Sequence, residues 1–145
     1  MATNIVVADA QATPVNHTFI PMGVDKNGTF WWVDQSQSNA LGYWKIGVSL
    51  KRPAEVNQRG VTASSRNYVA KVQVLEPVLA NVTNSTVTGV LPAPTLAYVP
   101  RSYHEYILPE SGGLLDRANI AKMTPLILQN SQVVQVIKDL VYPGL

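Results

Sequence analysis

Apolar and polar residues alternate along the first two thirds of the chain, most clearly within a predicted strand at residues 42–51. This period of two is expected of a β-strand that buries one face. Pro53 follows Arg52 and ends the segment, because proline has no backbone N–H for the sheet ladder. The apolar face holds Ile46, Val48 and Leu50, and the opposite face holds Lys45, Gly47, Ser49 and Lys51.

Further strands are predicted on both sides of this segment, where Val, Thr, Tyr and Trp are frequent and turn residues recur. Asn27 and Gly28 form a strong turn signal, because both residues tolerate a positive φ. Residues 59–65 are polar and are predicted to be a loop. The predicted strands are residues 4–8 and 17–22, which form an N-terminal hairpin, and then 29–33, 67–75 and 101–108.

Two of these strands also carry a polar face. Lys71 and Gln73 share a face with Val69, whereas Tyr68, Ala70, Val72 and Val74 form the other. In the last strand, Arg101, Tyr103 and Glu105 alternate with Ser102, His104 and Tyr106. If the strands pair, their cations could bind phosphate and Tyr103 could stack an unpaired base. A solvent-exposed antiparallel sheet would be polar on one side as well, so the pattern alone leaves both interpretations open.

The last third of the chain has a different pattern. Residues 76–100 contain four prolines and an Asn/Thr-rich run at 81–88, which predicts a long irregular connection. Apolar residues at helical spacing then predict a helix over residues 114–128, where Pro125 could kink or break it. Ser131 is the expected N-cap of a second helix, and Pro143 and Gly144 end it. We therefore expect an α+β fold in a single domain, residues 1–145, with about 1–110 β-rich and about 113–142 helical.

Composition narrows the classes of function. Hydrophobic residues make up 46% of the chain and charged residues only 14%, which favours a surface covered by partners over a lightly charged monomer. There is no cysteine, and the two histidines have no cluster of metal ligands around them, so we expect no metal and no cofactor. Phosphate-loop and nucleophile-elbow motifs are absent, which argues against an enzyme. No apolar run approaches the ~20 residues of a membrane span, and the first residues do not resemble a signal peptide.

The order of segments resembles the coat proteins of single-stranded RNA bacteriophages, the leviviruses. The resemblance covers nearly the whole chain and lies in the collinear order of five local matches: residues 31–33 leading through Asn39 and Tyr43 into 45–53, the strand 68–74, the loop flanks 89–92 and 101–103, the segment 116–118, and the end 137–143. It implies an N-terminal β-hairpin, a five-stranded antiparallel sheet and two C-terminal α-helices that interlock in a dimer. The expected dimer-interface residues are Val133, Val134, Ile137 and Leu140.

The resemblance also implies a function. Such subunits dimerise, assemble into an icosahedral shell of T=3 type, and bind single-stranded genomic RNA on the interior face of the sheet, with translational repression through an RNA hairpin as a further role. A maturation protein is an implied partner, the virion is the implied location, and assembly is expected in the cytoplasm of the bacterial host. The implied RNA-binding residues are Lys45, Gly47, Ser49, Lys51, Val69, Lys71, Gln73, Tyr103 and Glu105.

Other functions fit some of the same features. A dimeric RNA-binding regulator that builds no shell would use the same sheet face, but it needs no long proline-rich loop. A secreted β-rich adhesin would explain the four Asn-x-Ser/Thr triplets, but the sequence has no cysteine for disulfides. The capsid interpretation accounts for the low charge, the helical tail and the cationic sheet face together.

Overall fold

A computed structural model describes residues 1–54, 66–80 and 92–144 of the chain. The chain divides into two compact units, one made of Met1–Arg52 with Tyr68–Ile107 and the other of Pro53–Asn67 with Leu108–Leu145. The strands are β1 Ile5–Ala8, β2 Asn16–Val24, β3 Thr29–Asp34, β4 Trp44–Lys51, β5 Asn67–Leu75, β6 Val78–Leu79, β7 Leu96–Tyr98 and β8 Arg101–Pro109. A 3-10 turn spans Ala40–Gly42, and the helices are α1 Leu114–Leu128 and α2 Ser131–Asp139.

The main sheet has the strand order β1-β2-β3-β4-β5-β8. The fold class is the predicted α+β, but the sheet has six strands instead of five. Both strands of the predicted N-terminal hairpin belong to this sheet, because β2 also pairs with β3, with Ile20 opposite Val33. A bulge between Pro21 and Gly23 interrupts that register, and Gly23 has a φ of 105° that favours glycine.

The connection between β5 and β8 is more regular than predicted, within the part that the structure describes. β6 and β7 form a second, two-stranded sheet in which Val78 pairs with Tyr98. The Ala80 N–H also donates to the Thr95 carbonyl at 2.8 Å. Val78 and Leu79 are apolar and can form a strand because Pro77, which has no backbone N–H, lies just outside it. The predicted Asn/Thr-rich run and the predicted polar loop at 59–65 lie outside the described residues.

Both helices have the predicted order, and α1 has the predicted bounds. α2 ends at Asp139, before the predicted stop at Pro143 and Gly144, because Leu140 takes a left-handed conformation that cannot continue the helix. α1 continues through Pro125, so this proline does not break the helix. Asp116 accepts a 3.1 Å hydrogen bond from the Gly113 N–H, which satisfies a free donor at the helix start. The N-cap of α2 is Asn130, not Ser131 as predicted. Its amide oxygen accepts from the Gln132 N–H at 3.0 Å, and its extended backbone leaves Ser131 as the first helical residue.

The unit that contains the helices is also held together by Arg66. Its guanidinium donates to both carboxylate oxygens of Glu110 and to the Ala54 carbonyl, and the Glu110 N–H donates back to the Arg66 carbonyl at 2.9 Å. The hydrogen bonds from Arg66 lower the pKa of Glu110 below its ordinary value. Glu110 is therefore an ion-pair partner of Arg66.

The core of the single chain is small for its composition. Among the described residues, Phe19 and Val33 are the buried apolar side chains, at 4% and 8% exposure. α1 and α2 contain no buried residue, although apolar side chains lie all around α1 and along one side of α2. A helix that is apolar all round is normally enclosed by other protein. The isolated chain therefore leaves much apolar surface uncovered.

Candidate nucleic-acid interface

The register of β3, β4 and β5 creates two rows of side chains on one face of the sheet. Trp31 pairs with Gly47, which pairs with Gln73, and Thr29 pairs with Ser49, which pairs with Lys71. Residues directly opposite each other in an antiparallel sheet project to the same side. This side is called the lysine face here, because Lys45, Lys51 and Lys71 all lie on it.

The structure brings all nine of the predicted RNA-binding residues to the lysine face. Those on β4 and β5 share it through the pairs Gly47–Gln73, Ser49–Lys71 and Lys51–Val69, and Lys45 follows by the period of two. Tyr103 and Glu105 of β8 line a concavity of about 410 Å³ on the same face, together with Thr29, Gly47, Ser49, Lys71, Gln73 and His104.

Charge on the lysine face is only loosely neutralised. Lys71 Nζ lies 3.8 Å from Glu105 Oε1, and both side chains are more than half exposed. Exposed pairs of this kind contribute roughly 0–1 kcal/mol and are screened by salt. The Lys71–Glu105 pair is therefore weak, and Lys71 can exchange Glu105 for another anion at small cost.

Gly47 has a structural role on this face. A Cβ at this position would lie 2.7 Å from Gln73 Nε2 and 2.8 Å from Trp31 Cζ3, closer than real Cβ atoms approach. Glycine lets the Trp31 ring and the Gln73 side chain lie over the backbone of β4. Gly47 therefore shapes the surface and offers no side chain of its own to a ligand.

Trp31 and Thr29 belong to this face but were not among the predicted site residues. The alternation in β3 is hidden, because Phe30, Trp31, Trp32 and Val33 are all apolar or aromatic. Only the pairing of β3 with β4 reveals which of them share a side with the lysines.

The opposite face of the sheet carries a second polar cluster around His17. Its Nδ1 lies 2.6 Å from Asp34 Oδ2, its Nε2 lies 3.4 Å from Asp9 Oδ2, and its ring stacks on Trp44 with centroids 4.3 Å apart. Ser36 donates to Asp34 from both its N–H and its hydroxyl at 3.0 Å. His17, Asp9 and Trp44 line a concavity of about 560 Å³ with apolar neighbours such as Phe19 and Ile46.

The three charged groups of this cluster stabilise each other. The hydrogen bond to Asp34 raises the pKa of His17 above its ordinary value, against the opposing effect of burial. Burial alone would raise the pKa of Asp34, but hydrogen bonds from His17 and Ser36 hold that pKa below its ordinary value. The Val15 N–H is the main cause of the lowered pKa of Asp9. The cluster is thus an ion-pair network that joins β2, the β1–β2 turn and β3.

The four predicted dimer-interface residues lie on or next to α2. Ile137 and Leu140 are 64% and 86% exposed in the single chain, whereas Val134 is near 39% and Val133 is half-buried. Leu140 caps the helix with a φ of 57°, a left-handed conformation that favours glycine. An exposed leucine at this position is unfavourable in an isolated chain, which is consistent with a contact outside it.

Comparison with known proteins identifies the family. The family model described as Levivirus coat protein matches residues 1–142. The chain belongs to the levivirus coat protein family. A chain from the virus-like particle of bacteriophage ESE058 is 41% identical, with 98% of each chain covered and a TM-score of 0.87. A comparison with curated proteins found no match.

More distant levivirus structures share the fold alone. A chain from the virus-like particle of bacteriophage NT-214 is 23% identical, with 97% of each chain covered and a TM-score of 0.77. The capsid protein of bacteriophage GA is 16% identical, with 94% of this coat protein and 93% of that chain covered and a TM-score of 0.63. The expected α+β coat-protein fold is confirmed. This coat protein is accordingly a structural protein of a viral capsid, and therefore a component of the virion.

Within residues 1–54, 66–80 and 92–144, no helix is long and apolar enough to cross a lipid bilayer. No group of three or more His, Cys, Asp or Glu side chains there could hold a metal ion.

Proposed function

We propose that this coat protein pairs into dimers, self-assembles into an icosahedral shell and packages single-stranded RNA against its lysine face. The observation that carries the proposal is the lysine face itself: cations on two paired strands, an exposed and loosely held counter-charge at Lys71, and polar groups between the cations. The whole chain, residues 1–145, acts as a single coat-protein domain in this proposal. The protein has a structural role and no catalytic one.

Dimer formation is supported by the uncovered apolar surface of the helices. Val133, Val134, Ile137 and Leu140 together present an apolar side of α2 that a single chain leaves open. Burial of apolar surface contributes about 25 cal/mol per Å², so covering these side chains in a partner would strongly favour association. A second copy is the partner proposed, because a dimer with two-fold symmetry covers the same patch on both subunits.

RNA binding is supported by the charge and spacing on the lysine face. Lys45 and Lys71 lie on opposite sides of the Trp31–Gly47–Gln73 row, so they can contact phosphates on both sides of it. Each phosphate neutralised by a lysine releases counterions, which makes such binding salt-dependent. Repression of translation by binding an RNA hairpin would use the same face. The proposed partners are the genomic RNA and a maturation protein, and the proposed site of assembly is the cytoplasm of the bacterial host.

Replacing Lys45 and Lys71 with alanine together tests the RNA-binding part of the proposal. The double variant is expected to assemble, but to contain less RNA and to show a weaker dependence of RNA affinity on salt, by about 1.4 in the log–log slope for a single strand. A matched control removes the same charge elsewhere: Lys122→Ala with Lys138→Ala, both on the helices. RNA content is read from the ratio of absorbance at nucleic-acid and protein wavelengths in purified particles.

The outcomes separate the candidate functions. RNA content that is unchanged in the Lys45/Lys71 variant would remove these lysines from the interior surface. Equal losses in both double variants would mean that total charge matters and the lysine face does not. A wild-type protein that binds RNA as a dimer without forming particles would be an RNA-binding regulator.

A further inference from the structure

Trp31 has a different environment from the other two tryptophans of the chain. It pairs with Gly47 and lies on the lysine face, whereas Trp32 pairs with Ile46 and Trp44 pairs with Asp34, on the opposite face. Trp32 donates its indole N–H to the Thr3 carbonyl, and Trp44 stacks on His17. Trp31 is therefore the tryptophan that a ligand of the lysine face would meet.

The Trp31 ring is held in place before any ligand arrives. Its indole N–H donates to Asp25 Oδ2 at 2.9 Å, and Asp25 is itself fixed by the N–H groups of Asn27 and Thr29 at 2.8 and 3.0 Å. Below the ring, Gly47 removes the side chain that would otherwise lift it from the sheet. A ring held at its edge and supported from below loses little conformational entropy on binding.

One polar residue and two cationic residues lie in the strand positions next to this ring. The Gln73 side chain shares the space above Gly47, so its amide lies beside the ring and can donate and accept hydrogen bonds. Lys45 is two residues from Gly47 along β4, and Lys71 is two residues from Gln73 along β5. Residues two apart in a strand are about 7 Å apart, so Lys45 and Lys71 lie in the sheet on opposite sides of the Trp31–Gly47–Gln73 row.

We propose that Trp31 is a stacking platform for an unpaired RNA base, with the Gln73 amide at the edge of that base and Lys45 and Lys71 on the adjoining phosphates. The inference rests on the proposed RNA-binding function and assigns it a residue. The ligand is single-stranded, because a base inside a duplex has no free face to stack. Stacking on an aromatic ring tolerates every base, so this platform serves packaging of varied sequence.

The dependence of RNA affinity on salt concentration distinguishes base stacking on Trp31 from neutralisation of phosphates by the lysines. The probe is a short single-stranded oligoadenylate with a fluorescent end label, titrated into unassembled protein at several salt concentrations. Trp31→Leu is expected to weaken binding about tenfold without changing the salt slope, because a stacked base displaces no counterions. Trp32→Leu on the opposite face is the matched control and is expected to bind as the wild type does.

A second measurement does not depend on how well Trp31→Leu folds. In a Trp32→Phe, Trp44→Phe background, Trp31 is the sole indole fluorophore, and adding the oligoadenylate is expected to quench it. Absence of quenching with RNA bound would overturn the platform. So would wild-type affinity in Trp31→Leu, or a reduced salt slope in that variant, which would mean that the ring acts through the lysines.

A different result would refute the proposed RNA-binding function. If the wild-type protein binds no RNA at any salt concentration, RNA binding itself is refuted and the Trp31 assignment is refuted with it. If the Lys45/Lys71 variant loses affinity while Trp31→Leu does not, the proposed function stands and the platform is wrong.

Discussion

Replacing His17 with phenylalanine should destabilise the fold by removing one partner of a buried ion pair. The phenyl ring can still stack on Trp44, so the change isolates the hydrogen bonds to Asp34 and Asp9. The Asp34 side chain is only 6% exposed and would keep only its two bonds from Ser36. Removing one member of a buried pair costs about 3–5 kcal/mol, and we expect about 3 kcal/mol because the His17 ring is partly accessible.

A double-mutant cycle determines how much of this loss belongs to the His17–Asp34 contact. Asp34→Asn alone removes the negative charge, and the combined variant should cost about 2 kcal/mol less than the sum of the two single variants. Equilibrium urea unfolding of unassembled protein gives the free energies, at one fixed protein concentration because association shifts apparent stability. Additive single-variant effects would refute the pair as a stabilising contact.

The pH dependence of stability provides an independent check on the same contact. Because folding raises the pKa of His17 above its ordinary value of 6.5, the contribution of His17 to the free energy of unfolding is complete below pH 6.5. That contribution is lost as pH rises through the folded-state pKa. The lowered pKa of Asp34 means that its contribution is present above 3.8 and is lost as pH falls further. The free energy of unfolding should therefore be greatest between pH 3.8 and pH 6.5. Asp9 and Glu76 also line this cavity, but the loss above 6.5 should disappear in His17→Phe.

Three further substitutions test other parts of the fold. Ile137→Asp should prevent dimer formation, measured by sedimentation, because it buries a carboxylate without a partner; a stable folded dimer would refute the placement of α2. Gly28→Ala should cost about 1 kcal/mol in urea unfolding from backbone strain alone, since its φ is 79° and nothing lies within 4 Å of the added Cβ; an unchanged midpoint would contradict this. Leu140→Gly should relieve the left-handed cap of α2 yet weaken dimerisation, so an unchanged dimer dissociation constant would remove Leu140 from the interface.

Local patterns were sufficient for the elements that have one clear period. β5 occupies the predicted residues 67–75 and α1 the predicted 114–128, because a strict alternation and a long apolar helix leave few alternatives. The parity of β4 and β5 was likewise enough to group Lys45 with Lys71. These predictions depend on residues that are neighbours in sequence.

The features that the sequence did not predict depend mostly on pairing between residues that are far apart in the chain. The main sheet has six strands because β2, and with it β1, pairs with β3. The short β6–β7 sheet joins residues about twenty positions apart. Trp31 is placed on the lysine face by its pairing with Gly47. His17 contacts Asp34, which lies seventeen residues further along the sequence. Asn130 and Ser131 are both good N-cap residues, so only the backbone conformation distinguishes them.

The central claim is tested most directly by expressing this coat protein alone in bacteria and imaging the purified material by negative-stain electron microscopy, with an absorbance spectrum of the same fraction. Uniform round particles whose spectrum shows nucleic acid are the expected result. A protein that stays a monomer without nucleic acid under all salt conditions would contradict it.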